Sequence, residues 1–291
     1  MNQEYIVLDI ETTGNENQEI LEFSMLVCDY DGNILKNISK TYKAIPNESI
    51  MWAATAVHGI SNFFIDSIKS DKTKAKDFGY EPQEVVLQKI LNDLIEYAVH
   101  LKMPVIGYNH IAFDLKWLKH NIIRYACKDL NEDDPRVVKI EKLFKYLEDN
   151  SIDIFTFAKT LYNPQELGDL KLSTVYLAEC AKSEEDVQNL IELRNVHGAY
   201  ADCVLTNKIY QSFIKTISAN SIDDVRKHIN TPKMLEVIPF GKYKNRTFKE
   251  ILQVDPEYLY WMVKTYTKEN KEKNIVYTIM KLVEERNKEE Q

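Results

Sequence analysis

The sequence predicts a mixed α/β sheet domain followed by a small second domain. Three observations carry this reading. Short apolar runs rich in β-formers open the chain, and helical periodicity alternates with such runs further on. A stretch of weak periodicity ending in Thr231-Pro232 then precedes a tail with a pattern of its own.

Residues 5–8 (YIVL) are a short apolar run bounded by Asp9 and read as a buried strand. Residues 22–30 read as a second strand. Asp31-Gly32 is a strong hairpin signal before a third strand at 34–42. Residues 82–100 place Val85, Val86, Ile90, Leu94, Ile95 and Val99 at helical spacing, with Pro82 near the first turn. A fourth strand is expected at 103–107 and a helix at 112–125. A short fifth strand at 152–154 is expected next, then helices near 155–161, 172–181 and 198–215. Residues 1–215 form the expected sheet domain, 216–233 the linker and 234–291 the second domain. In the tail, 236–240 looks like a strand and 243–246 a turn, with Asn245 suited to a left-handed position. Asp255-Pro256-Glu257 is a helix start, and Ile275, Val276, Ile279 and Val283 share one face of a final helix.

Composition narrows the class. With 44% hydrophobic residues and only 8 Gly and 8 Pro, the chain can fill a core, so long disorder is not expected. No apolar run is long enough to cross a bilayer, and the polar start that leads straight into a strand does not read as a signal peptide. Cys28, Cys127, Cys180 and Cys203 are scattered, which suits free buried thiols in a reducing cytoplasm. The net charge of −8 argues against a nucleic-acid partner only until its distribution is considered. Residues 234–291 carry 11 basic and 10 acidic side chains, so the negative charge resides in residues 1–233. Lys242, Lys244, Arg246 and Lys249 fall together without an acid between them.

The chemistry-bearing features are acidic. Strand alternation puts Asp9 and Glu11 on one face and Ile10 on the other. Two carboxylates so close repel each other unless a cation sits between them, and hard ions such as Mg²⁺ or Mn²⁺ take such oxygen ligands. Alone, the tripeptide is frequent and a solvated strand end is its simpler account. Thr12-Thr13-Gly14 allows close backbone approach to a ligand. Asp114, at the end of Asn109-His110-Ile111-Ala112-Phe113-Asp114, would sit in the first turn of a helix, where a capping acid is the simpler account. Asp202 falls on a helix otherwise apolar at Ala201, Val204 and Leu205. His197 precedes that helix and could stand beside the same metal to take a proton from water.

Together, D-I-E-T-T-G, N-x-x-x-F-D and H-x-x-x-x-D, with Val57-His58-Gly59-Ile60, resemble the DEDDh exonucleases, the DnaQ-like group with an RNase H-like fold. The resemblance spans about residues 5–213 and implies a mixed sheet flanked by helices. It implies 3′→5′ hydrolysis with two divalent ions, Mg²⁺ or Mn²⁺. Asp9, Glu11 and Asp202 would hold one ion, Asp9 and Asp114 the other, and His197 would be the general base. It further implies that backbone at Ile10 and Thr12 meets the terminal sugar, while Phe113 and His58 to Ile60 flank the terminal base. Asn109 lies one residue further from the Asp than the common motif places it, and His110 takes the usual position.

The tail segment Pro239-Phe240-Gly241-Lys242-Tyr243-Lys244-Asn245-Arg246, followed by D-P-E-Y-L-Y-W, resembles the small C-terminal module of exodeoxyribonuclease X-like proteins. An α+β module is expected there. Lys242, Lys244 and Arg246 would contact phosphates and Tyr243 a base, with Tyr258 and Trp261 in a mini-core. The resulting expectation is an exonuclease releasing nucleoside 5′-monophosphates from single-stranded or frayed DNA 3′ ends, in DNA repair. RNA ends, a proofreading subunit or a non-catalytic scaffold are the alternatives.

Overall fold

The computed structural model describes residues 4–14, 16–162, 167–195, 198–269 and 272–289. The chain divides into two compact units, Met1–Arg226 and Lys227–Gln291. In the first, the described residues form a six-stranded sheet in the order β4-β3-β2-β1-β5-β6. Its strands are β1 (Tyr5–Thr12), β2 (Ile20–Cys28), β3 (Lys40–Ile45), β4 (Tyr80–Pro82), β5 (Val105–Gly107) and β6 (Ser151–Asp153). β1, β2 and β3 are antiparallel neighbours, whereas β5 and β6 continue parallel from β1, and β4 pairs parallel with β3.

Alternation along β1 sorts the two layers. Ile6, Leu8 and Ile10 join a core with Val86, Leu87, Ile90, Leu115, Leu118, Phe144 and Leu147. These come from helices Gln83–Asp93, Asp114–Ala126 and Pro135–Asp149. The odd residues meet helix Ala199–Thr216. Tyr5 donates its hydroxyl hydrogen to Asn207 Oδ1 at 2.5 Å, and the Cys203 thiol points to the Val7 carbonyl at 3.5 Å. Asp9 and Glu11 share this second face. A bulge between Glu11 and Thr12 then ends regular pairing with β2.

Several expected elements differ. The third strand starts at Lys40, not at residue 34. After the Gly32 turn only Cys28 and Ile34 bridge, and the Ser39 hydroxyl takes the Val27 N–H that a longer ladder would have used. The helix expected at 82–100 ends in wide π turns over Leu94–His100. Residues 216–233, expected as a linker, contain helix Ile222–Asn230 with Ile222 and Val225 buried. Ser221 starts it by accepting the Asp224 N–H at 3.1 Å. The four cysteines are free, three of them buried and Cys180 half-buried.

The second unit is helical, with Phe248–Val254, Pro256–Glu269 and Lys273–Glu289 packed through Ile238, Phe248, Ile251, Leu259, Met262, Ile275 and Ile279. The expected strand at 236–240 is present as one bridge between Val237 and Thr247, and the other described elements of the module are helical. Asn245 turns the chain at φ 67, and Thr247 and Glu250 form a reciprocal capping box. No helix among the described residues is long and apolar enough to cross a membrane.

Phe157 is fully buried with its ring centroid 4.5 Å from that of Phe213, joining helix Ile154–Leu161 to helix Ala199–Thr216. Phe157→Ala is expected to destabilise the first unit by about 3–5 kcal/mol. A urea unfolding midpoint unchanged from wild type would refute that packing.

Candidate active site built from carboxylates

β1 delivers Asp9 and Glu11 to the face covered by helix Ala199–Thr216, and Asp202 lies in the first turn of that helix. One carboxylate oxygen from each of Asp9, Glu11 and Asp202 lies within 4.8 Å of the others. Asp114 approaches from the first turn of helix Asp114–Ala126. It is 3% exposed, and its Oδ1 accepts the Ile10 N–H at 2.9 Å. That bond fixes Asp114 directly to the strand residue between the other two acids.

The electrostatics are those of buried carboxylates crowded together. Asp9 is pushed well above the ordinary carboxylate range by burial and then by Asp114, Asp202, Glu11 and Glu22. Glu11 rises to about 8, through burial first and then Asp202, Glu22 and Asp114. Burial takes Asp114 to about 7 even though backbone N–H groups favour its ionised form. Converging hard oxygen donors that resist ionisation fit a divalent cation, which removes the repulsion and keeps them charged.

Two supporting residues escaped the sequence reading. Glu22 pairs directly across from Glu11 on β2 and is 7% exposed. Its carboxylate lies 3.4 Å from Lys43 Nζ and accepts the Ala199 N–H, which ties β2 to the start of the Asp202 helix. Gly198 makes this approach possible, because a Cβ there would collide with the Glu22 carboxylate. Asp153, at the end of β6, accepts the N–H groups of Asn109 at 3.0 Å and Phe155 at 2.9 Å. An acid within an otherwise apolar strand was the available signal for Glu22.

The remaining expected residues fall in different settings. His197 lies outside the described residues. Ile10 and Thr12 are buried at the end of β1, with the Thr12 hydroxyl 2.5 Å from Gln18 Oε1. His58 is 4% exposed. Its Nδ1 accepts the Ile60 N–H at 3.1 Å, so Nε2 carries the proton and donates to the Thr12 carbonyl at 3.2 Å. This clip holds helix Trp52–His58 to the end of β1, while Ile60 is 9% exposed. Phe113 keeps 36% of its surface open beside Asp114. Asn109 is exposed in a left-handed conformation at φ 59. His110 instead is wholly buried against Gly107, 3.9 Å from Asp153, and burial lowers it to about 4, so it is neutral.

In the tail, Lys242 Nζ and the Tyr243 hydroxyl both reach Asp255 Oδ2, at 2.9 and 2.7 Å. Tyr243 also packs edge-on against Tyr258 at 5.1 Å. Arg246 is drawn to Glu250 at 3.3 Å. Lys244 is exposed and makes no ion pair among the described residues. Tyr258 contacts Trp261 at 5.6 Å, but Trp261 is 53% exposed and so lies at the rim of the small core.

Solved structures share the sheet unit. The zinc-bound E. coli exonuclease I–single-stranded DNA complex superposes with a TM-score of 0.54 at 16% identity, covering 78% of this chain and 43% of that one. E. coli exonuclease I with a dT13 oligonucleotide gives 0.53 at 16% identity, covering 78% and 44%. The fold is that of part of exonuclease I. The expected RNase H-like architecture is therefore met, although this chain spans less than half the length of those proteins. Residues 238–265 match the family model described as exodeoxyribonuclease X-like C-terminal. No curated protein matches the chain in sequence.

The raised acids set a pH dependence. Glu11 goes from 4.5 to about 8 and Asp114 from 3.8 to about 7, so the metal-free folded state holds protons that the unfolded chain releases. Their contribution to stability is complete below the unfolded values and is lost as pH rises through the folded ones. Melting in chelator is expected to fall between about pH 5 and about pH 9, and Mg²⁺ to raise it most at the upper end. A melting temperature in chelator that does not change with pH, together with no effect of Mg²⁺ or Mn²⁺, would contradict this.

Proposed function

We propose that this chain is a metal-dependent 3′→5′ exonuclease that removes nucleoside 5′-monophosphates from DNA ends. The observation that carries the reading is the convergence of Asp9, Glu11 and Asp202 with Asp114 clamped beside them. Fold alone would not be sufficient, since one fold serves many chemistries. The exonuclease I structures with the same fold hold single-stranded DNA, which favours a single-stranded 3′ end as substrate.

In this reading Asp9, Glu11 and Asp202 hold one divalent cation, and Asp9 and Asp114 a second. Two such ions when bound activate water and offset the charge developing on the entering and leaving oxygens. The chain's own residues do the rest. Asp114 aligns the two acids of β1 through the Ile10 N–H. Glu22 and Lys43 fix the start of the helix that presents Asp202. His197, adjacent in sequence to Gly198, removes the proton from the attacking water. Phe113, with its open face beside Asp114, stacks on the terminal base. Of the four tail residues expected to meet substrate, Lys244 has no carboxylate partner among the described residues, whereas Lys242, Tyr243 and Arg246 would first have to leave theirs.

The test uses single- and double-stranded DNA and RNA labelled at the 5′ end, with Mg²⁺, with Mn²⁺ and with chelator. Stepwise shortening of single-stranded DNA from its 3′ end is expected, abolished by chelator and by Asp9→Asn. His197→Ala is expected to lower kcat by about 10²- to 10⁴-fold with little change in KM. Hydrolysis that persists in chelator or in Asp9→Asn would refute the mechanism, and faster loss of RNA than DNA would reassign the substrate.

A further inference from the structure

Three short helices, Trp52–His58, Asn62–Ser70 and Lys72–Asp77, lie between β3 and β4 in the chain. They present two features that the carboxylate site does not use. Nearest the site, Trp52 is 66% and Phe63 75% exposed, with ring centroids 6.0 Å apart. Their position is fixed, because the Met51 N–H donates to the Thr13 carbonyl at 2.9 Å, two residues beyond Glu11. Leaving two large aromatic rings in water forgoes the burial that normally stabilises them, so a planar apolar partner fits them better than solvent.

The second feature lies at the edge of the sheet. Lys69, Lys72 and Lys76 line an open groove of about 610 Å³ over Ile68 and Tyr80. All three lysines are exposed, and none makes an ion pair among the described residues. The acid on the lining, Glu81, is already paired with Lys89. The groove lining therefore presents three lysines and one acid that is paired with Lys89, on a chain whose net charge is −8. The register Glu11, Glu22, Lys43, Tyr80 runs straight across four strands. At one strand spacing per step, the groove floor lies roughly 14 Å from the β1 acids. Helix Asn62–Ser70 carries both features, with Phe63 in its first turn and Lys69 in its last.

We propose that this helical segment is a guide for single-stranded nucleic acid entering the carboxylate site: bases stack on Trp52 and Phe63, and upstream phosphates lie along Lys69, Lys72 and Lys76. The proposal rests on the exonuclease reading for its direction. Its chemistry is independent: a polyanion with exposed π-faces matches a surface of stacking rings followed by unpaired cations. An acidic peptide would match the lysines but leave the rings without a planar partner.

The test is fluorescence anisotropy of labelled dT20 and dT4 in chelator, with wild type, Trp52→Ala/Phe63→Ala, and Lys69→Gln/Lys72→Gln/Lys76→Gln. Circular dichroism checks that each variant is folded. Each variant is expected to weaken dT20 binding by about tenfold or more, and the lysine variant to affect dT20 more than dT4. Loss of three phosphate contacts should also reduce the slope of log affinity against log salt by about 2. Unchanged dT20 affinity and salt slope in both folded variants would overturn the guide. Loss of poly-glutamate binding with dT20 binding intact would overturn it in favour of an acidic peptide. If wild type binds dT20 in this way but fails to hydrolyse it with Mg²⁺, the exonuclease reading fails while the guide stands. Normal hydrolysis with no effect of either variant on binding gives the reverse.

Discussion

Mutual repulsion among carboxylates governs this molecule. Asp9, Glu11 and Asp202 place oxygens within 4.8 Å of one another, with Asp114 and Glu22 adding negative charge at the same end of the sheet. Like charges held this close in partly buried surroundings raise one another's pKa, and a native structure tolerates them only where proton or metal binding offsets the cost. The fold is arranged to hold the acids in place against that repulsion. The strand pairing of Glu11 with Glu22, the Ile10–Asp114 hydrogen bond and the Lys43–Glu22 ion pair each restrain one member. A cation adds binding free energy to a site whose shape is already set.

The same restraints explain why the elements fall where they do. β1 must be buried on both faces up to Leu8 to stay central, and it becomes half-open from Asp9 onward, where alternation turns two acids toward the Asp202 helix. Gly198 lets that helix begin directly against the Glu22 carboxylate. His58 performs a mechanical task on the other side, linking helix Trp52–His58 to the Thr12 carbonyl.

Much of this was legible in the sequence because it depends on local periodicity. Asp9 and Glu11 are separated by one residue of a strand and so share a face, whereas Asp202 was joined to them only by the resemblance of the motifs to the DEDDh exonucleases. Glu22 was not legible as a site residue, since its partners Lys43 and Ala199 are distant in sequence and only pairing brings them together. The helices from Trp52 onward are only six to nine residues long, and so their exposed rings and lysines gave no extended pattern. In the tail, the basic residues were visible but their carboxylate partners were not. Asp255 and Glu250 engage Lys242, Tyr243 and Arg246, which composition alone cannot anticipate.

The central claim is that these acids form a cation site rather than a cluster of protonated carboxyls. Calorimetric titration of Mn²⁺ into the full chain, repeated in buffers of different ionisation enthalpy, tests it directly. The account expects saturable binding in wild type with release of protons, and loss of that binding in Asp9→Asn and Asp202→Asn. Absence of binding in wild type, or undiminished binding in both variants, would contradict it.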